Sequence, residues 1–345
     1  MDELEKIEEF EELLMAQGVS GYEDGIRNKI ESIVSEYGKT RTDNIGNLHL
    51  ELPGNGPHIA MVAHMDEIGM VVSNIEDDGY LRIMKIGGVK DSLLLGRQVT
   101  IHTERGPVNG VIGHKAPHLT TDDDKKDEIV SWTNTYIDVG ASSKEEVTEM
   151  GIDVPNPITF DKTLRRLRGD KITGRPLDNR IGCFGLIETL RTLVDEDHDA
   201  KLSFIWSVQE EIGLRGARVV ANTLKPDYVI ALDTYTTSDS PGLKSFYKPI
   251  KLGDGPVLRM VDVRVISSPS LIKHFKESAE EEEVPYQYGV TGGTTDGMAL
   301  QESGSLTVSI GVPVRYSHST VEVASWKDIC NLSNLVSAGV RRLPL

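Results

Sequence analysis

Four short apolar runs, each leading into a residue type that binds metal, constrain this chain more than any other feature. Ile59 to Ala63 runs into His64, Leu202 to Val208 into Glu210 and Glu211, Tyr228 to Leu232 into Asp233, and Leu306 to Val314 into His318. Runs of this length rich in Val and Ile read as buried strands, and ligand sites in open α/β sheets form just beyond the carboxyl ends of such strands. One sheet edge can therefore gather all of these side chains. Asp178, just ahead of a helical pattern, is a fifth candidate.

The elements between these runs set the fold class. Leu4, Ile7, Phe10, Leu13 and Leu14 make a helical stripe ended by Gly18, and Ile26, Ile30, Ile33 and Val34 make a second ended near Gly38. From about Gly69 the texture changes to Gly-punctuated alternating segments such as Leu81 to Ile83, Val99 to Ile101 and Val108 to Ile112, with an acidic tract Asp122 to Glu128. One helix is expected there, capped by Ser143 with Glu146 three residues on. After Arg168 helices and strands resume: a stripe from Cys183 to Val194, a helix around Leu214 to Leu224, a strand Val257 to Val265, and helices Ser270 to Glu282 and Trp326 to Val340. The 345 residues thus predict two domains. The fold class is α/β, with a mixed central sheet flanked by helices built from 1–68 and 168–345. Residues 69–167 form an inserted small β-barrel-like domain, because candidate ligands lie on both sides of it.

Composition removes several functions. A formal charge of −17 argues against nucleic acid, whose phosphates call for a basic footprint. No stretch approaches the roughly 20 consecutive apolar residues of a membrane span. The start, MDELEKIEEFEELL, is an acidic amphipathic helix rather than a signal peptide, so a cytoplasmic location is expected. Cys183 and Cys330 supply neither a disulfide framework nor a thiolate zinc site, and read as small apolar residues of helices.

The candidates form a coherent chemical set. Asp66 follows His64 by two residues, on the same side of an extended chain, where a carboxylate can orient an imidazole that binds metal. Asp178, in RPLDNR, stands where a helix N-cap also stands, but a two-metal site requires a bridging carboxylate. Glu210 and Glu211 are adjacent, so their side chains diverge: one can ligate while the other acts as general base on an activated water. The same divergence places them poorly to flank a glycosidic bond. Asp233, at the end of YVIAL, would be a buried charge that needs a cation, and His318 completes the set. His with carboxylates suits zinc, cobalt or manganese. Two divalent ions bring +4; Asp178, Glu211 and Asp233 offset three charges and a hydroxide nearly balances the rest. His114 and His118 read as structural or interfacial.

The motifs HMDEIG, PLDNR, QEEIGLRGA, ALDT, TGGTTD and YSHS, in this order across the whole chain, resemble the M42 family of metallo-aminopeptidases. The resemblance implies a zinc-exopeptidase-like core with two divalent metal ions per subunit. One would be held by His64, Asp178 and Asp233, the other by Asp178, Glu211 and His318. Glu210 would be the general base, Asp66 the orienter of His64, and Gly292, Gly293 and Thr294 would line the pocket for the first substrate side chain. It also implies short peptides as substrates and a homo-oligomer, a dodecamer built from dimers with the inserted domain helping to make the contacts. Two other readings remain. A hydrolase of non-peptide amides, such as an N-acyl amino acid deacylase, would use the same metals, and a peptide-binding scaffold would lack ligands or base.

Overall fold

The four apolar runs lie side by side. In the computed structural model, which describes residues 1–115, 118, 131–241 and 250–343, strands Lys201–Ser207, His58–His64, Tyr228–Thr236 and Leu306–Arg315 are consecutive parallel neighbours in an 11-stranded mixed sheet. They are buried on both faces along almost their whole length, which is why they carry no polar alternation. Antiparallel strands extend the sheet on both sides: Leu48–Leu52 and Thr40–Thr42 beyond Lys201–Ser207, and Glu322–Ser325, Lys171–Gly174 and Leu164–Arg166 beyond Leu306–Arg315.

Each strand sorts its side chains to two helical layers by the period of two. On one face Met61, Ala63, Phe204, Trp206, Ile230 and Leu232 pack under helices Glu3–Met15, Leu177–Leu193 and Trp326–Arg342. Phe10, Phe184 and Trp326 meet there with ring centroids 5.4 to 5.8 Å apart. Burying each such side chain contributes about 1.5–3 kcal/mol. On the other face Ala60, Val62, Ile205, Val229 and Ala231 pack with Val220 and Leu300. Two residues further on from Val62 and Ala231 are His64 and Asp233, so both belong to this second face, at the carboxyl edge.

One strand is shorter than its pattern. Val257 to Val265 reads as continuous alternation, but the strand ends at Val261. There Asp262 Oδ1 accepts hydrogen bonds from the amides of Arg264 and Val265, closing a turn that returns the chain to pair Val261 with Ile266. A short acidic side chain competing for nearby amides ends the ladder.

The chain divides into two units. The first comprises Met1–Asp66, Thr163–Ser317 and Val321–Leu345, and the second Glu67–Lys162 with His318–Thr320. The second is a closed barrel of six strands in the order Gly69–Ile75, Leu81–Ile86, Tyr136–Asp138, Gly106–Ile112, Gln98–Thr103 and Pro157–Phe160. Its core is Met70, Val72, Leu81, Ile83, Ile101, Ile137 and their neighbours. Its helix, Lys144–Glu149, is capped by Ser143, whose hydroxyl accepts from the Glu146 amide. The acidic tract Asp122 to Glu128 lies outside the described residues. No helix among the described residues is long and apolar enough to cross a membrane.

Candidate metal centre

His64 and Asp233 come level with each other on adjacent strands, and the pleat turns both to the same face. His64 Nε2 lies 3.7 Å from Asp233 Oδ1. The third member, Asp178, arrives from the helix layer, with its Oδ1 3.5 Å from His64 Nε2. His64, Asp178 and Asp233 each offer one ligand atom within 4.8 Å of the others. Glu211 belongs to the same unit as these three, and His318 to the second unit.

Asp178 is free to face the cluster because it is not the helix cap. It and Asn179 hold non-helical backbone angles, and Asn179 takes the capping role, its Oδ1 accepting from the Gly182 amide at 2.9 Å. The Asn179 amide group also donates to Leu232 O at 2.9 Å, tying the helix start to the strand that carries Asp233. The capping role that the sequence also allowed at Asp178 is thus taken one residue later, at Asn179. Glu322 Oε2 accepts from the amides of Leu177 (2.6 Å) and Asp178 (3.2 Å), and Ser317 Oγ donates to Asp178 Oδ2 at 2.9 Å.

Asp66 does more than its spacing suggested. Its carbonyl oxygen is 3.2 Å and its carboxylate 3.5 Å from His64 Nδ1. The fully buried carboxylate also accepts from Ser20 Oγ at 2.5 Å and from the amides of Glu210 (2.9 Å) and Glu211 (3.2 Å). Glu210 Oε2 in turn stands 4.0 Å from His64 Nε2.

The electrostatics of this cluster call for a cation. Burial alone would lower His64, but the carboxylates of Glu210, Asp178, Asp233 and Asp66 outweigh it and hold the imidazole well above its usual range. Burial drives Glu210 well above the usual carboxylate range, His64 opposes, and Glu211, Asp296 and Asp233 add to the rise. Asp66 is held low because hydrogen bonds and the charge of His64 overcome its burial. The donor set is imidazole and carboxylate only: the nearby Cys183 thiol contacts His64 O at 3.2 Å, and burial pushes it up to about 12, so it stays protonated. Such a set fits a divalent cation of zinc, cobalt or manganese character.

Three residues that sequence reasoning did not assign belong to the surroundings: Asn179, Glu322 and Asp296. Asp296 is buried, takes a short hydrogen bond from Ser207 Oγ, and its Oδ1 has no partner among the described residues. Burial raises it to about 7, against His64 and Ser207, with Asp66 and Asp233 adding. It stands at the end of TGGTTD, the motif in which only Gly292, Gly293 and Thr294 drew a role. In that loop Gly293 O accepts from the Val263 amide at 3.2 Å, and Thr294 Oγ1 is buried. Among the basic residues in the C-terminal third of the chain, Arg259 is buried and donates to Thr234 O at 2.7 Å, Arg315 pairs with Asp239, Lys251 is exposed, and Lys248 lies outside the described residues. His114 and His118 are exposed.

Comparison with known proteins shows the family. A family model described as M42 glutamyl aminopeptidase matches residues 46–335. The putative aminopeptidase FrvX of Escherichia coli K12 is 36% identical over 338 residues, covering 96% of this chain and 93% of that protein. The lysyl aminopeptidase of Pyrococcus furiosus is 36% identical over 337 residues, covering 96% and 95%. Among solved structures, the TET1 peptidase of Pyrococcus horikoshii, which can assemble into a tetrahedron or a large octahedral shell, superposes with a TM-score of 0.91 at 39% identity, covering 98% of this chain and 100% of that one.

Proposed function

This chain belongs to the M42 family of aminopeptidases and is a peptide hydrolase, and from that premise we propose that it removes N-terminal residues from short peptides by a two-metal reaction with Glu210 as general base. The observation that carries the reading is the trio of His64, Asp178 and Asp233, with a raised, buried carboxyl of Glu210 beside it. His64, Asp178 and Asp233 would hold one divalent ion, and Asp178, Glu211 and His318 the other. Bound there, the ions would polarise the scissile carbonyl and lower the pKa of the attacking water.

The chain's own residues supply the rest. Glu210 takes the water proton and passes it to the leaving amine, a task suited to a carboxyl whose proton affinity is raised. Asp66 fixes the imidazole of His64 through Nδ1 and holds the backbone of Glu210 and Glu211 by their amides. Gly292, Gly293 and Thr294 line the pocket for the first side chain. Relatives are described as lysyl and as glutamyl aminopeptidases, so membership of the family does not by itself fix the side-chain preference. A cytoplasmic location and a dodecamer built from dimers through the barrel complete the proposal.

Glu210→Gln is the direct test. It should keep fold and bound metal, measured by thermal unfolding and elemental analysis, while turnover falls by about 10² to 10⁴-fold. Retained turnover rules out Glu210 as the base. A parallel assay separates this reading from an N-acyl amino acid deacylase: an aminopeptidase cleaves a free-amine peptide and rejects its N-acetylated form.

A further inference from the structure

The segment carrying the proposed base hangs from two buried carboxylates. Three consecutive amides, of Gln209, Glu210 and Glu211, donate in turn to Glu23 Oε1 (3.1 Å), Asp66 Oδ1 (2.9 Å) and Asp66 Oδ2 (3.2 Å). Asp66 comes from beside His64, but Glu23 comes from the first helical pair, far away in sequence. Gln209 holds a φ of +57°, a backbone region that non-glycine residues adopt rarely and that persists only where the surroundings enforce it.

Glu23 does not cap the helix that it precedes. It precedes helix Asp24–Val34 at the N-cap position, where a side chain ordinarily bonds the first turn, yet it makes no cap bond. Its Oε1 instead accepts from the amides of Gly21 (2.7 Å) and Gln209, and the residue is only 4% exposed. Three positions earlier, Ser20 donates to Asp66 Oδ2. The segment between the first two helices thus holds the Gln209 end of the strap directly through Glu23 and the Glu210–Glu211 end indirectly, through the Ser20 bond to Asp66. A carboxyl buried beside another carboxyl is costly for a fold that needs only a turn at this place.

We propose that Glu23 is a positioning residue for the hydrolysis: by fixing the Gln209 amide it sets the point from which the Glu210 carboxylate reaches the attacking water. The inference rests on Glu210 being the base. It requires an acceptor oxygen at a fixed reach, and predicts an effect on turnover rather than on substrate or metal binding.

The test compares Glu23→Gln, Glu23→Asp and Glu23→Ala in the full-length, metal-loaded enzyme. Leucyl-, lysyl- and glutamyl-p-nitroanilide serve as substrates, and metal content is measured on each preparation. Glu23→Gln keeps the Oε1 acceptor and should stay within about threefold of wild-type kcat. Glu23→Asp withdraws the acceptor by one methylene, and Glu23→Ala removes it. Both should lose about 10²-fold in kcat, with KM within about threefold and metal content unchanged. Should Glu23→Ala fail to fold, the contrast between Gln and Asp decides alone. The proposal is overturned by wild-type kcat in Glu23→Asp or Glu23→Ala, by a Gln variant no better than Asp, or by joint loss of metal and KM, which marks a merely structural role. Glu210→Gln run alongside separates the two failures. An active Glu210→Gln sinks the base itself, whereas an inactive Glu210→Gln with a fully active Glu23→Ala sinks only this inference.

Discussion

At the scale of single residues, the centre depends on side chains held where little else fits. A Cβ added at Gly88 would come 2.7 Å from His318 Nδ1 and 3.1 Å from its Cε1. His318 has little freedom to retreat, since its own φ is +60° and that of Tyr316 is +62°, each a strained setting costing about 1–3 kcal/mol. Gly88→Ala should therefore displace the imidazole. We expect metal content to drop from two toward one per chain and turnover to fall about 10²-fold, measured by elemental analysis and steady-state kinetics. Full metal content and full turnover would remove His318 from the proposed ligand set. Asn179 shows the same economy at another position, capping a helix with one end of its side chain and pinning the Asp233 strand with the other.

At the scale of elements, connections far from the centre set its height. Asp43 accepts from the amides of Ile45, Gly46 and Asn47 and from the Asn47 side chain. Asn47 then accepts from the Val208 amide at 3.0 Å, just before the strap that carries Glu210. Burial would raise Asp43, but the bonds from His49, Asn47 and Gly46 win and bring it down to about 2. A carboxyl lowered in the folded state contributes stability that is fully present above its unfolded value near 3.8 and is lost as pH falls through 2. In metal-free protein, Asp43→Asn should lower the urea midpoint at pH 7, with the gap to wild type closing between pH 4 and 2. A gap independent of pH would show that the carboxylate charge is not what holds the turn.

The elements were legible in the sequence where burial alone decides them. Four runs without polar alternation could only be strands covered on both faces, and their ends located His64 and Asp233. What stayed hidden is local competition for backbone amides. Asp262 cuts a strand whose alternation continues past it, and Asn179 takes the cap from Asp178, although both residues are helix-capping types. Glu322, Glu23 and Asp296 act on amides or a hydroxyl across the fold, and a carboxylate used that way leaves no spacing to read.

At the scale of the whole molecule, the proposed dodecamer has a direct readout. Twelve chains of 38.0 kDa give about 460 kDa by light scattering after gel filtration, and a closed assembly should show no concentration-dependent growth. A particle of one or two chains that is fully active would end the dodecamer proposal while leaving the chemistry intact. The order of strands in the central sheet bears on an earlier moment. The strand carrying His64 lies between two that follow it in the chain by well over a hundred residues, and the strand preceding His318, the last of the four in the chain, lies beside the one carrying Asp233. The proposed ligands therefore come from strands far apart in the chain, and a polypeptide emerging from the ribosome lacks the complete set until residues beyond the strand Leu306–Arg315 have been made.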